Sequence, residues 1–235
     1  AEMTQLKTML KWDIILQSRY KIIHLSILSV LIYFVTLIAI PSMNTEEFKT
    51  LYLFFDPTLI GIMFVGALVL FEKTENTLQA LNVTPMETRT YFFSKIISLT
   101  LLSVISGFLF LFLSHGIHFE YFFMVTGIIL TSVFLILLGF ILVARCNSIN
   151  EYLLMMMLAF LLLFLPPLLD ITGIYNNIVF YLWPSQASFL LFEGVFGSLS
   201  LNETIYALAY LSIWIVGCYY LAKKAFYKYI VLGGS

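Results

Sequence analysis

The sequence predicts an all-α polytopic membrane protein with six transmembrane helices. Of its 235 residues, 61% are hydrophobic and only 11% are charged, whereas soluble domains carry about 25% charged residues. Apolar runs of about 20 residues recur, and a helix of that length crosses the hydrocarbon core of a bilayer. This composition excludes a soluble globule and makes the lipid bilayer the first expected partner, and nothing in the sequence indicates a nucleic-acid partner.

The placement of the basic residues predicts the orientation of the six spans. The spans are predicted at residues 22–41, 51–71, 96–113, 121–144, 152–169 and 204–222. Four Lys or Arg residues precede the first span, three lie between the second and third, one follows the fourth, and three follow the sixth. Lys49 is the single basic residue on the other side. By the positive-inside rule, both termini are expected in the cytoplasm.

The N-terminal residues 4–21 are predicted to form an amphipathic helix that lies along the inner membrane surface. Lys7 and Lys11 occupy one face of this helix. The apolar residues of the segment include Leu6, Met9, Leu10, Ile14 and Leu16. The alternative is a simple basic anchor that fixes the topology.

The external loop 174–203 is predicted to form short re-entrant helices between spans five and six. It contains no Lys or Arg, and its apolar runs are too short to cross a bilayer. Backbone at membrane depth must be covered by protein, so a packed helical pair fits this composition. The alternative is a loop that rests on the membrane, with Tyr181 and Trp183 at the interface. Just before this loop, Pro166-Pro167 is expected to break or kink span five.

The cytoplasmic segment 72–95 is predicted to be a short helix, a turn and a capped helix. Thr84-Pro85-Met86-Glu87 has the residues of a capping box, with proline at the first helical position. Upstream, Leu78 and Leu81 share one face of the short helix. The capped helix then leads directly into span three, so this polar segment is not predicted to be a floppy linker.

Catalytic, cofactor-binding and metal-binding motifs are not found in the sequence. No glycine is followed by lysine, so a phosphate-binding P-loop is absent, and no HExxH occurs. His115, His118 and Glu120 are interpreted as polar residues at a membrane boundary. The spans carry no acid or base at their centres, which weakens a secondary, ion-coupled transporter as an alternative function. An integral-membrane enzyme is a weaker alternative still, because no nucleophile or paired acids lie within a span.

Four stretches carry a resemblance to ABC-2-type (type V) exporter permeases. The loop after span two reads EKTENTLQALNVTP at 72–85 and is followed by Lys95 at the entry to span three. The other stretches are WDIILQSRY at 12–20, ARCNSINEYLL at 144–154 and WPSQ at 183–186. Together they are similar to the small permeases of fluoroquinolone or antibiotic export.

The resemblance implies a non-enzymatic transport subunit in a bacterial cytoplasmic membrane. It implies a second permease subunit, identical or a close paralogue, and a separate ABC ATPase subunit that holds ATP and Mg. A hydrophobic or amphipathic cargo such as a drug, lipid or peptide is then expected to leave the cytoplasm.

The same resemblance implies roles for particular residues. Residues 4–21 correspond to a connecting helix, whose candidate site residues are Trp12, Asp13, Gln17 and Arg19. Residues 72–95 correspond to a coupling segment. Its candidate ATPase contacts are Glu72, Lys73, Glu75, Thr77, Leu78, Leu81, Val83, Thr84 and Pro85.

Overall fold

A computed structural model of the chain describes residues 2–75, 88–171, 178–197 and 199–231. Within these ranges the regular structure is helical throughout. The α-helices are α1 (Glu2–Arg19), α2 (Ile22–Ala39), α3 (Glu46–Thr74), α4 (Thr88–Ser114), α5 (Tyr121–Val143), α6 (Ile149–Ile171), α7 (Pro184–Glu193) and α8 (Leu201–Phe226). Short 3-10 turns occupy Pro41–Met43 and Ile178–Leu182, and a π-helical turn at Tyr227–Val231 extends α8.

Six of these helices, namely α2, α3, α4, α5, α6 and α8, are long and apolar enough to cross a membrane. The predicted fold class, an all-α polytopic membrane protein, is therefore confirmed. Helix α3 begins at Glu46, earlier than predicted, because the Thr45 hydroxyl accepts a hydrogen bond from the Phe48 amide at 3.3 Å and caps the helix. It then runs without interruption through Asp56-Pro57.

Helices α3 and α5 form the centre of the bundle. In the most apolar window of α3, 73% of the residues are buried, compared with 22% in each of α2, α6 and α8. The three outer helices therefore turn broad apolar faces away from the bundle. Such faces are stable against lipid tails or against another apolar helix, but not against water.

Glycines allow α3, α5 and α6 to approach closely around Tyr152. A Cβ atom at Gly66 would lie 2.0 Å from Tyr152 Cε1, and one at Gly139 would lie 2.4 Å from Val65 Cγ1. The Tyr152 hydroxyl donates to the carbonyl of Ile62. Small residues serve this purpose in membrane bundles, because dispersion contacts replace the hydrophobic effect there.

Helix α7 lies in the predicted external loop and is enclosed by α3, α5, α6 and α8. Every residue from Pro184 to Phe192 is buried. A short helix covered by protein is what a re-entrant segment requires, and its entry into the bilayer stays a prediction.

The double proline does not end α6, which contains Pro166 and Pro167 and continues to Ile171. The expected break is absent because the WPSQ stretch supplies the two missing donors. Proline at position i removes the amide that would bond the carbonyl at i−4, which leaves Leu162 O and Leu163 O free. Trp183 Nε1 donates to Leu162 O at 2.8 Å, and the Ser185 hydroxyl donates to Leu163 O.

Candidate functional site

A buried ionic cluster joins α1, α3 and α4 at the end of the bundle that the coupling segment enters and leaves. Lys95 Nζ lies 2.5 Å from Asp13 Oδ1 and 2.5 Å from Glu72 Oε1. The side chains of Lys95 and Asp13 are 0% and 1% exposed. Glu72 closes α3 and Lys95 lies near the start of α4, so the two residues bracket residues 76–87, which lie outside the described part of the chain.

Each carboxylate of the cluster also accepts a hydroxyl hydrogen bond. The Tyr91 hydroxyl donates to Glu72 Oε2 at 2.6 Å, and the Ser94 hydroxyl donates to Asp13 Oδ2. A charge buried without such partners would be costly, because it loses its hydration. The two hydroxyls and the ammonium group therefore supply the polar partners that both buried carboxylates require.

The sequence of α4 brings the donors together through helical periodicity. Tyr91, Ser94, Lys95 and Ser98 follow a spacing of three, four and seven residues from the first and lie on one face. Polar residues at this spacing, at the start of an apolar helix, make a stripe that points into the bundle.

Helix α1 presents a matching polar stripe of Asp13 and Gln17, one turn apart. Gln17 Nε2 donates to Ser98 Oγ at 3.0 Å, beside the ion pair between Asp13 and Lys95. Gln17 is 1% exposed. The two helices are thus joined by polar contacts at two successive turns.

The described contacts give α1 a polar attachment to the bundle that the sequence did not predict. An amphipathic helix was expected to be held by its apolar face, yet the most buried side chains of α1 are Asp13 and Gln17. Met9 and Leu16 are partly buried against the core, whereas Ile14 is 45% exposed. The physical reason is that the Asp13 carboxylate can be buried only where Lys95 and Ser94 bind it. The position of α1 at the membrane surface stays a prediction.

A second set of contacts fixes the junction of α1 and α2 to the end of α3. The Tyr20 hydroxyl donates to Glu75 Oε1 at 3.0 Å, and the Tyr20 ring stacks on Phe71 with centroids 4.4 Å apart. Partial burial and the hydrogen bond to Glu75 raise the pKa of Tyr20. The tyrosine therefore stays a neutral donor, as this contact requires.

On the opposite side, Lys73 fixes α3 to the turn between α5 and α6. Its ammonium group donates to Cys146 O at 3.2 Å and to Asn147 Oδ1 at 2.8 Å. The Asn147 amide donates to Glu151 Oε2 at 2.8 Å. The end of α3 is therefore held by contacts to the junction of α1 and α2, to α4, and to the turn between α5 and α6.

The structure brings together three of the residues predicted from the sequence, namely Asp13, Gln17 and Glu72. Glu72 was expected to contact an ATPase subunit, but its side chain faces inward because Lys95 and Tyr91 bind it there. Lys73 and Glu75 also make contacts within the chain. Trp12 is 58% exposed, and Arg19 is exposed as well. The predicted contacts Thr77, Leu78, Leu81, Val83, Thr84 and Pro85 all lie outside the described residues.

Sequence reasoning did not place Tyr91, Ser94, Lys95 and Ser98 in a site. The sequence indicates for Lys95 only a cytoplasmic position at the entry to span three. The available signal was the polar stripe on α4 and the i, i+4 pair of Asp13 and Gln17 on α1. Pairing the two stripes required the tertiary arrangement.

At the other end of the bundle, His115 meets a lysine. Its Nδ1 atom lies 3.3 Å from Lys49 Nζ. Burial and the charge of Lys49 lower the pKa of His115. Among the described residues, His, Cys, Asp and Glu form no group that could hold a metal ion, and a neighbouring ammonium group would oppose a cation here.

The fold defines an all-helical, multi-pass membrane protein with a buried polar junction at one end. The chain belongs to the fluoroquinolones export permease protein family, whose model matches residues 4–233. Two similar proteins are the fluoroquinolones export permease proteins of Mycobacterium tuberculosis strains CDC 1551 / Oshkosh and ATCC 25618 / H37Rv. Each is 29% identical over 231 residues, which cover 97% of this chain and 98% of the relative. The protein is therefore a transport permease of the plasma membrane rather than an enzyme.

Proposed function

We propose that this chain is the permease subunit of an ATP-binding-cassette exporter that moves an amphipathic drug out of the cytoplasm. A separate ABC ATPase subunit binds ATP and Mg and docks on the coupling segment, with Leu78 and Leu81 as its apolar anchors. A second permease subunit, identical or closely related, completes the translocation unit. Both termini lie in the cytoplasm.

The observation that supports this proposal most is the ionic cluster between Asp13, Glu72 and Lys95. Glu72 and Lys95 are the two end residues of the coupling segment, on α3 and α4, and Asp13 lies on the N-terminal helix α1. Removing one partner of a buried ion pair costs about 3–5 kcal/mol. We therefore expect these three helix ends to move as one body when an ATPase displaces the coupling segment.

Two further sets of contacts connect the ionic cluster to other helices. Tyr20 connects it to the start of α2 through Glu75 and Phe71, and Lys73 connects it to the turn before α6. A displacement of the coupling segment would thus reach α2 and α6, two of the least buried helices. These outer helices are the ones free to change their contacts with lipid or with a second permease subunit.

The proposed cargo follows from the names of the relatives and from an aromatic surface. The relatives are named as fluoroquinolones export permeases. Phe55, Phe160 and Phe164 form a stack between α3 and α6, with ring centroids of Phe160 and Phe164 3.9 Å apart. Phe55 and Phe160 are partly buried, and Met63 on α3 is 41% exposed. Rings and thioethers of this kind suit a planar, amphipathic molecule.

The test is drug transport by the chain co-expressed with the ATPase encoded next to it. ATP and a fluorescent fluoroquinolone are added to the medium outside inverted vesicles, where the cytoplasmic face is exposed, and uptake of the drug into the vesicles is measured. Leu78→Asp with Leu81→Asp is expected to abolish both ATP-driven uptake and co-purification of the ATPase, because a buried carboxylate cannot replace an apolar anchor.

Leu201→Asp provides the matched control, since Leu201 is 75% exposed at the other end of the bundle. It is expected to retain uptake and co-purification. Uptake that needs a proton gradient and persists without ATP would instead identify a secondary carrier. Unchanged co-purification in the double variant would refute the assigned docking surface.

A further inference from the structure

A shallow groove runs along the outside of the bundle between α1, α2 and α4. Its volume is about 200 Å³, which is below the roughly 300–1,000 Å³ of typical drug-sized pockets. One end of the groove meets Gln17 and Ser98, the pair that joins α1 to α4 next to the ionic cluster. A molecule in this groove would touch both helices at that junction.

The wall of the groove is aliphatic. Aromatic residues make up 17% of the chain, yet none lines the groove. Its outer rim is formed by Ile27, Leu101 and Ile105, which are 45%, 50% and 54% exposed. An outward-facing aliphatic channel without rings suits a flexible hydrocarbon chain better than a planar drug.

One polar group in the groove lacks a partner. The Ser26 hydroxyl is buried and has no hydrogen-bond partner within the ranges that the structure describes. The other polar side chains of the groove are satisfied: Gln17 donates to Ser98, and Ser98 and Ser106 donate to backbone carbonyls. A buried donor of this kind is normally paired, so Ser26 points to an acceptor supplied by a ligand.

Positively charged residues lie before the start of α2, and Lys21 precedes Ser26 by five residues. Lys21 directly precedes α2 and Arg19 ends α1, and both side chains are exposed. The rise of a helix places Lys21 about 7.5 Å from Ser26 along the axis. A phospholipid has this order of groups, with a phosphate, then an ester carbonyl a few atoms away, and then an acyl chain.

We propose that this groove binds an anionic phospholipid of the cytoplasmic leaflet. One acyl chain lies between α2 and α4, its ester carbonyl accepts a hydrogen bond from Ser26, and its phosphate contacts Lys21 and Arg19. The bound lipid stabilises the hydrogen bond between Gln17 and Ser98. This lipid binding is independent of the cargo and of any ATPase. The lipid proposal can therefore be refuted while the proposed transport function holds, and the transport function can be refuted while the lipid proposal holds.

The experiment measures binding of dioleoyl-phosphatidylglycerol to the purified, delipidated full chain by native mass spectrometry. Ile105→Trp fills the groove and is expected to weaken binding at least about tenfold. Ile97→Trp is the matched control on the same helix, because Ile97 is 41% exposed and does not line the groove. Its affinity is expected to stay within about twofold of wild type, as for other surface changes.

Two further variants test the polar contacts. Ser26→Ala is expected to weaken binding about threefold, the value of one hydrogen bond. Lys21→Gln with Arg19→Gln is expected to remove the preference for phosphatidylglycerol over phosphatidylcholine. If Ile105→Trp does not fold, Leu101→Trp replaces it, since Leu101 lines the same wall.

Equal binding by the Ile105 and Ile97 variants would overturn the proposal, as would full affinity in Ser26→Ala. Displacement of the lipid from the wild-type chain by a fluoroquinolone would assign the groove to cargo and would also overturn it. Binding weakened at least about tenfold in Ile105→Trp and about threefold in Ser26→Ala, without drug competition, would establish the lipid site.

Discussion

Lys95 and Asp13 are 82 residues apart in the sequence, and their Nζ and Oδ1 atoms are 2.5 Å apart in the structure. Lys95 also binds Glu72, so one ammonium group serves two buried carboxylates on two other helices. The contact couples the N-terminal helix to both helices that flank the coupling segment. We expect both the stability and the proposed mechanism of the protein to depend on this lysine.

Lys95→Met is expected to destabilise the protein by about 3–5 kcal/mol, because it leaves Asp13 and Glu72 buried without a cation. The thermal unfolding midpoint in detergent measures this loss. Lys7→Met, at an exposed position of α1, is expected to unfold at the wild-type temperature. A second variant that adds Asp13→Asn to Lys95→Met is expected to recover part of the loss. Equal midpoints for Lys95→Met and wild type would contradict the assignment.

The double proline of α6 gives a prediction with internal controls. Trp183→Phe frees Leu162 O and is expected to cost about 1–3 kcal/mol, as for other unpaired polar groups. Pro166→Ala restores an amide that can bond Leu162 O, so the cost of Trp183→Phe is expected to shrink in that background. Ser185→Ala and Pro167→Ala form the second matched pair, through Leu163 O.

The crossed combinations, Trp183→Phe with Pro167→Ala and Ser185→Ala with Pro166→Ala, are expected to show no such recovery. The recovery is measured by comparing the thermal unfolding midpoints of the two matched and the two crossed double variants. Identical recovery in matched and crossed pairs would show that the two side chains do not replace the missing amides.

Much of the fold was predictable because long apolar runs and basic residues follow rules that need no tertiary information. The six helices and the short helix of the external loop were predicted on this basis. The continuation of α6 through Pro166 and Pro167 was not predictable. The local rule for proline ignores the hydrogen-bond donors Trp183 and Ser185, which lie about 20 residues away in the sequence. Tertiary hydrogen bonds override a local penalty here.

The start of α8 has a capping box of the same kind as the one predicted at Thr84. The residues that predicted a capped helix at Thr84 have a counterpart at Ser200-Leu201-Asn202-Glu203. There the structure has a capping box, in which Ser200 accepts from the Glu203 amide and the Ser200 amide donates to Glu203 Oε2 at 3.0 Å. This capping box starts the helix at Leu201, before the start predicted for the last span at residue 204. The signal at Thr84 lies outside the described residues.

The candidate site was predictable only in part. Asp13, Gln17 and Glu72 were selected through the resemblance, but their partners Tyr91, Ser94, Lys95 and Ser98 became evident only when α1 and α4 were paired. Sequence spacing shows which residues share a face of one helix. It does not show which face of another helix will meet them.

The contact between His115 and Lys49 predicts a dependence of stability on pH. The pKa of His115 is lowered in the folded protein, first by burial and then by Lys49. The unfolded chain therefore takes up the proton first, and stability is expected to fall as the pH drops below about 6.5, the ordinary value for histidine. The loss of stability ends once the pH is below the lowered pKa of His115 in the folded protein.

His115→Asn removes this titration, so its unfolding midpoint is expected to change less than that of wild type between pH 7.5 and pH 5, the range around about 6.5. The matched control is His24→Asn, at an exposed position of α2, which is expected to retain the wild-type dependence. A parallel fall for wild type and His115→Asn would refute the prediction.

The predicted orientation can be tested with single cysteines in intact cells. Cys146 and Cys218 are buried and are first replaced by alanine. A membrane-impermeant thiol reagent is then expected to label Ile117→Cys, which lies at a 63% exposed position, but not Thr4→Cys. Labelling of Thr4→Cys alone would reverse the assigned topology.

The central claim, that the ionic cluster couples an ATPase to the permease, is tested most directly by counting drug molecules moved per ATP hydrolysed. The measurement uses Glu72→Gln reconstituted with the ATPase in proteoliposomes. Glu47→Gln, exposed at the other end of α3, is the control and is expected to match wild type. The account predicts that Glu72→Gln still binds the ATPase and hydrolyses ATP, while the ratio falls at least about fivefold. A ratio equal to that of wild type, at normal ATP hydrolysis, would contradict the account.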